Sequence, residues 1–314
     1  MGKKLLVCFG MLLISGFIVP LSAAQTSQPN ITIIDRSGEN TTALTDGNQI
    51  QLEISLAAPP AQAEEITFIL LGDTGKVASC TVPAGASVCR TDAFDALGWH
   101  WDSGHAGQPT RVVQAFGASQ NLLGTSAQVA VDPRPVVLVH GFISSWETWK
   151  SYLGDQGYLA SLGIPAFAIG DGQVPGQLNT GSLTDPAGRT NTIQQNAEIL
   201  GQYIAGVKQK TGAEMVDLVV HSMGGMISRY YIDRVMQDRD VAQLIMLGSP
   251  MGGSDCSVLP AALGFYLPAS LEIRSSYMTG IFNRQITHRR GVPFYDLAGT
   301  EILEAYQSPC ADVP

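Results

Sequence analysis

Asp217-Leu218-Val219-Val220-His221-Ser222-Met223-Gly224-Gly225-Met226-Ile227 is the most informative stretch of the chain. Met215 to Val220 is a short apolar run that reads as a buried strand, and it breaks at Ser222 into a helical pattern rich in small residues. A serine at such a corner presents its hydroxyl off the end of a sheet. The helix that begins there turns unpaired N–H groups toward the same point, where they favour negative charge. Gly224 and Gly225 give strand and helix room where they nearly touch. The plainer alternative is a strand-to-helix turn with Ser222 as an ordinary N-cap.

Upstream lies Val136-Val137-Leu138-Val139-His140-Gly141-Phe142, a second apolar strand, ending in His-Gly. Two such strands in this order point to acyl transfer, with a nucleophile at the second corner and an oxyanion donor at the first. From Val136 strands alternate with helices, the pattern of a parallel sheet covered on both faces. Helices are expected from Ser144-Ser145 to about Leu162, after a cap at Thr190 or Asn191, and after Ser222. Further strands are expected at Pro165 to Ile169, Gln243 to Leu247 and Val292 to Gly299. The Gly- and Pro-rich loop between Gly170 and Arg189 is long enough to form a binding rim. The apolar, proline-bounded segment Val258 to Leu267 reads either as a cover over Ser222 or as a buried helix.

The N-terminus has the form of a secretory signal peptide: Lys3 and Lys4, an apolar run from Leu5 to Val19, then Ser22-Ala23-Ala24 before Gln25. Residues 25–132 carry short, partly alternating β runs punctuated by Gly, Pro, Asn and Asp, as in a small all-β sandwich. A short helix is expected near Ala93 to Leu97. Trp99, His100, Trp101 and His105 read as core aromatics and loop histidines; the other reading is a sugar-binding patch. Asp132-Pro133-Arg134-Pro135 marks a boundary, because prolines cannot continue a ladder. The expected division is therefore 1–24 signal peptide, 25–132 all-β domain and 133–314 α/β domain.

Removing residues 1–24 takes two lysines from the 18 basic residues and none of the 27 acidic ones, leaving 16 against 27, a balance of −11. Such a surface disfavours nucleic acid and anionic head groups. The mature chain would have no transmembrane segment, and a secreted or periplasmic address follows. Four cysteines then remain, Cys80, Cys89, Cys256 and Cys310, an even count that favours disulfides in an exported protein. Cys80–Cys89 would close a hairpin, and Cys256–Cys310 would staple the C-terminal tail. No C-x-x-C spacing occurs and the histidines do not cluster, so no metal site is expected.

His-Gly-Phe, His-Ser-Met-Gly-Gly, Gly-Ser-Pro-Met-Gly-Gly and Pro-Phe-Tyr-Asp-Leu-Ala-Gly, in this order between Pro135 and Gly299, resemble the α/β-hydrolase superfamily in its secreted lipase/esterase branch. Bacterial triacylglycerol lipases and domains related to GPI inositol-deacylases are similar. The resemblance implies Ser222 as nucleophile, the backbone N–H groups of Met223 and Phe142 as oxyanion hole, a lipid or other ester as substrate, and no cofactor. The chain departs from the pattern at Val220, where glycine is usual. It departs further in the triad, whose order should be serine, carboxylate, histidine. His288 precedes the last strand and no histidine follows it. His288 is thus a weak candidate base, and Asp312 a weak candidate acid, ahead of Asp255. His100, His105, His140, His221 and Asp296 read as structural. The expectation is that the sequence is incomplete after Ala311-Asp312-Val313-Pro314, where the acid-bearing segment would begin. The alternative is a non-catalytic binding protein whose hydrolase fold lacks the triad histidine.

Overall fold

The computed structural model describes residues 30–101, 104 and 106–299. Its second half is built on five parallel strands: β1 (Val136–Val139), β2 (Ala166–Ala168), β3 (Val216–His221), β4 (Val241–Leu247) and β5 (Phe294–Leu297). Their order is β2-β1-β3-β4-β5, which sets the two motif strands side by side, with Val139 opposite Val220. All four β1 residues are buried, as a strand covered on both faces requires. Alternate residues serve different cores. Val137, Val139, Leu218 and Val220 join the larger one, while Val136 and Leu138 meet Trp149 on the other face. Among the described strands β5 pairs with β4 alone, and Tyr295 and Leu297 are exposed.

The larger core is closed by α1 (Ile193–Thr211) and α2 (Met223–Tyr230). Ile193, Ala197, Leu200 and Ile204 of α1 are buried, matching the apolar face read from the sequence. Its cap is Thr192, not Thr190 or Asn191. Thr192 and Gln195 form a reciprocal capping box, and Gly212 ends the helix in the left-handed region at φ 74°. Thr190 is engaged elsewhere, donating from Oγ1 to the Tyr266 carbonyl and accepting from the Ala269 N–H. Among the described residues no helix is long and apolar enough to cross a membrane.

Three local expectations are corrected. The helix expected from Ser144 to Leu162 is two short pieces, a 3-10 helix at Trp146–Tyr152 and one α-helical turn at Tyr158–Ser161. Gly154, at φ 67°, breaks the run between them. The helix expected near Ala93 to Leu97 is a strand, Phe94–Asp95, because Ile50 and Gln49 supply a ladder for it. The segment from Val258 is not a buried helix: Val258–Ala262 is helical, yet Leu259 and Leu263 are 67% and 60% exposed.

Residues 30–132 contribute only strands among those described, in an eight-stranded and a three-stranded sheet. They bury a core of their own, including Leu52, Ile66, Phe68 and Val113. Trp99 and His100 are buried, which removes the binding-patch reading from them; His105 lies outside the described residues. Cys80 and Cys89 are bonded, but not across a hairpin. Their strands, Lys76–Val82 and Val88–Arg90, stand at opposite ends of the strand order, so the bond joins the sheet's two edges. A sheet that twists as it widens brings those edges together. Cys256 is disulfide-bonded, and Cys310, the partner expected for it, lies outside the described residues.

The strand-rich segment is held to the parallel sheet by charge. Asp46, fully buried, accepts from the Gly98 and His100 N–H groups and from Arg134, whose Nε also reaches Asp217 at the start of β3. Arg36–Glu214 and Arg239–Asp95 add outer pairs, and Asn48 bonds both Gly212 and Glu214.

Candidate active site

Ser222 stands between β3 and α2 at φ 52°, ψ −123°. Non-glycine residues seldom adopt that region, and holding one there costs about 1–3 kcal/mol. The turn is fixed from both sides: the Ser222 N–H donates to the Leu247 carbonyl at 3.1 Å, and its own carbonyl accepts from Gly225 at 3.0 Å. The side chain makes no capping bond, so Ser222 is no ordinary N-cap. It is half-buried, and its Oγ has no hydrogen-bond partner among the described residues. Val220, where glycine is usual, is completely buried in the larger core, so its side chain leaves the corner free.

The end of β1 is pressed against this corner. A Cβ placed on Gly141 would lie 2.7 Å from the Ser222 Cβ and 3.3 Å from its Oγ; one on Gly224 would meet the Val139 carbonyl oxygen at 2.8 Å. Gly141→Ala is therefore expected to lower stability by about 1–3 kcal/mol through overpacking. Gly252→Ala, with nothing within 4 Å, is its neutral control in a denaturant titration.

The next residues arrange the two expected oxyanion donors. Neither the Phe142 nor the Met223 N–H donates to a backbone bond among the described residues, so both remain available. Ile143, at φ 50°, turns the chain sharply after Phe142. Thr180 holds that turn: its Oγ1 donates to the Gly141 carbonyl at 2.8 Å, and its carbonyl accepts from Ile143 at 3.1 Å. Tyr266 stacks edge-on against Phe142 with ring centroids 5.5 Å apart. Thus the loop expected as a rim and the apolar segment both reach the end of β1. Thr180 and Tyr266 had no signal in the sequence beyond lying in those two segments.

The histidines are placed elsewhere. His221 follows β3's alternation and is exposed. His140 is buried and bonds the Gly141 carbonyl through Nδ1; burial pushes its pKa down, which keeps the ring neutral. His288, the weak candidate base, is seated against Asp233. Its Nδ1 lies 3.5 Å from Asp233, eleven residues beyond Ser222, and no hydrogen bond joins it to Ser222 among the described residues. A base must lie within hydrogen-bond reach of the hydroxyl it deprotonates. Asp296 sits on β5 beside Met246 and lines a cavity of about 420 Å³ with His288 and Arg229. Asp255 is exposed, and among the described residues its carboxylate accepts only a 3.4 Å contact from the Ser275 N–H. Asp312 lies outside the described residues.

Glu272 adds a pH dependence. Burial raises its pKa above 4.5, partly offset by the Ile193 N–H at 2.6 Å, the first residue of α1. A folded-state pKa raised above the unfolded one contributes stability in acid that is lost as pH rises through it. Glu272→Gln keeps an acceptor for Ile193 and removes the titration. Its melting temperature is expected to exceed wild type at neutral pH, the gap closing below the ordinary carboxylate range.

Residues 186–280, which contain Ser222, match the family model described as "PGAP1-like alpha/beta domain". Among solved structures, the mature lipase BlEst2 of Bacillus licheniformis is similar at 24% identity and a TM-score of 0.44, over 56% of this chain and 69% of that one. Phospholipase PlaB from Legionella pneumophila is similar at 18% identity and a TM-score of 0.41, over 56% of this chain and 40% of that one. The chain thus spans well under half of PlaB. The family match covers under a third of the chain and includes the strained serine corner at the end of β3, so over those residues the chain is similar to the PGAP1-like alpha/beta domain.

Proposed function

We propose that the chain is a secreted or periplasmic serine ester hydrolase, a lipase or carboxylesterase, that works through an acyl-enzyme on Ser222. The observation that carries this reading is the backbone of Ser222, held at φ 52° with its hydroxyl uncommitted. A fold serves many chemistries, so the site has to supply the reason. In the proposed reaction Oγ attacks the ester carbonyl and gives its proton to a base, while the Met223 and Phe142 amides hold the oxyanion. Collapse expels the alcohol, and water then releases the acid. None of the described histidines hydrogen-bonds Ser222, so base and carboxylate are assigned to no described residue. The first 24 residues serve as signal peptide, 25–132 as a separate all-β domain, and Cys256–Cys310 as a second disulfide. The net charge of −9 speaks against a nucleic-acid partner.

The test is labelling with a fluorophosphonate probe, followed by peptide mapping. Modification confined to Ser222 is the expected result. A folded protein that takes up no probe would favour the non-catalytic binding protein instead.

A further inference from the structure

The strand-rich segment holds a cavity that the Ser222 chemistry does not use. It measures about 470 Å³ and is lined from residues 70–77, around the turn between the strands Glu64–Leu70 and Lys76–Val82, and from residues 97–101. That volume lies in the range of small-ligand sites. Leu70 and Trp99, both buried, supply its apolar floor. The first segment adds Asp73, Thr74 and Lys76, and the second adds Trp101, which is half-buried. One arginine fixes both segments. The Arg111 side chain is 6% exposed; its Nε donates to the Trp99 carbonyl at 2.6 Å and its Nη2 to the Trp101 carbonyl at 2.9 Å, while Nη1 lies 3.8 Å from the Asp73 carboxylate. The Trp101 ring is braced edge-to-face by His100 with centroids 4.7 Å apart, and His100 is itself bonded to Asp46 and to the Val131 carbonyl. Trp101 and Asp73 are thus in place before a ligand arrives, which lowers the ordering cost of binding.

Charge and polarity narrow the ligand class. Lys76, the one cation lining the cavity among the described residues, is paired with Glu65 at 2.9 Å. A phosphate would find no free cation there and would meet the Asp73 carboxylate. A purely apolar ligand would strip water from Asp73, Thr74 and Lys76 and return no hydrogen bonds. A neutral pyranose offers what both groups need. When its hydroxyls are equatorial, its faces are C–H bonds that lie flat on an indole ring, and its rim donates to a carboxylate and exchanges hydrogen bonds with a threonine. We infer that this cavity binds a neutral, equatorially hydroxylated pyranose, with Trp101 as the stacking platform and Asp73 and Thr74 as partners of its hydroxyls. The site needs nothing from Ser222 and holds whether or not the chain is an esterase.

Full-chain protein would be titrated with cellobiose, inorganic phosphate and hexanoate under saturation-transfer NMR, and sedimented with amorphous cellulose. Transfer to the ring C–H protons of cellobiose is expected, with a Kd on the order of 1 mM. Trp101→Ala should weaken binding by about tenfold, the worth of an aromatic contact. Thr74→Val changes an exposed side chain without altering its shape, and should weaken binding by about threefold, the worth of one hydrogen bond. Melting temperatures of both variants are read alongside; if Trp101→Ala fails to fold, Thr74→Val carries the test. Retention of wild type on cellulose, reduced in the variants, identifies the sugar as part of a polysaccharide, whereas binding of cellobiose alone identifies a soluble saccharide; either result supports the site. Neither transfer to cellobiose nor retention on cellulose, sugar binding that folded variants leave unchanged, or binding of phosphate or hexanoate that the same variants remove would overturn it.

Discussion

Ser222→Gly is expected to give a protein that is more stable than wild type and cannot form an acyl-enzyme. At φ 52°, ψ −123° a side chain is strained and glycine is not. Relief of that strain, about 1–3 kcal/mol, outweighs the roughly 0.5–1 kcal/mol that glycine adds to unfolded-chain entropy. Ser222→Ala keeps the Cβ and hence the strain, so it should lose the chemistry without becoming more stable. In either variant ester hydrolysis should fall by about a thousandfold or more, to what binding and the oxyanion donors supply unaided. The ordering of stabilities separates this from the N-cap alternative. A capping serine loses about 1 kcal/mol on replacement by alanine and a few tenths on replacement by glycine. Urea melts in which Ser222→Gly is less stable than wild type would contradict the strained-corner account.

The second large effect concerns the ion network between the N-terminal strands and the parallel sheet. Arg134→Met is expected to lower unfolding stability by about 3–5 kcal/mol, because it leaves a carboxylate buried without a counter-charge. Asp46 has no exposed surface, and its remaining partners would be two backbone N–H groups, from Gly98 and His100. Asp217, whose side chain is 13% exposed, loses its partner as well. Asp46→Asn combined with Arg134→Met removes the buried charge and should recover part of the loss. The outer pairs are different: Arg36 is 58% exposed at its side chain, so Arg36→Ala should change stability by less than about 1 kcal/mol. Denaturant titrations of the four proteins read all of this. Equal, small losses from Arg134→Met and Arg36→Ala would mean that the Asp46 network contributes no more than a surface pair.

Much of the architecture was legible because it depends on short-range pattern. Met215 to Val220 and Val136 to Val139 are apolar without a break, and a run of that kind is stable only when buried on both faces. The change from alternating strands to strand-and-helix units at Pro133 and Pro135 marked where the parallel sheet begins. The cap of α1 is not legible to the residue, since Thr190, Asn191 and Thr192 are all suitable and only the tertiary partners of Thr190 decide among them. Likewise Gly154, at φ 67°, stops a helix that the apolar pattern around it would continue. The disulfide partners followed from cysteine spacing, but not the fact that they join opposite edges of a sheet.

What the sequence by itself determined is the parallel sheet and the serine at its corner, because strand burial and a tight turn are written in adjacent residues. Only the tertiary structure decided that Ser222 is strained and uncapped, that Thr180 and Tyr266 hold the end of β1, and that Asp46 is neutralised by Arg134 from far along the chain. Only it seated His288 against Asp233. Distance between side chains remote in sequence is set by how sheets and helices pack, and no local pattern records it.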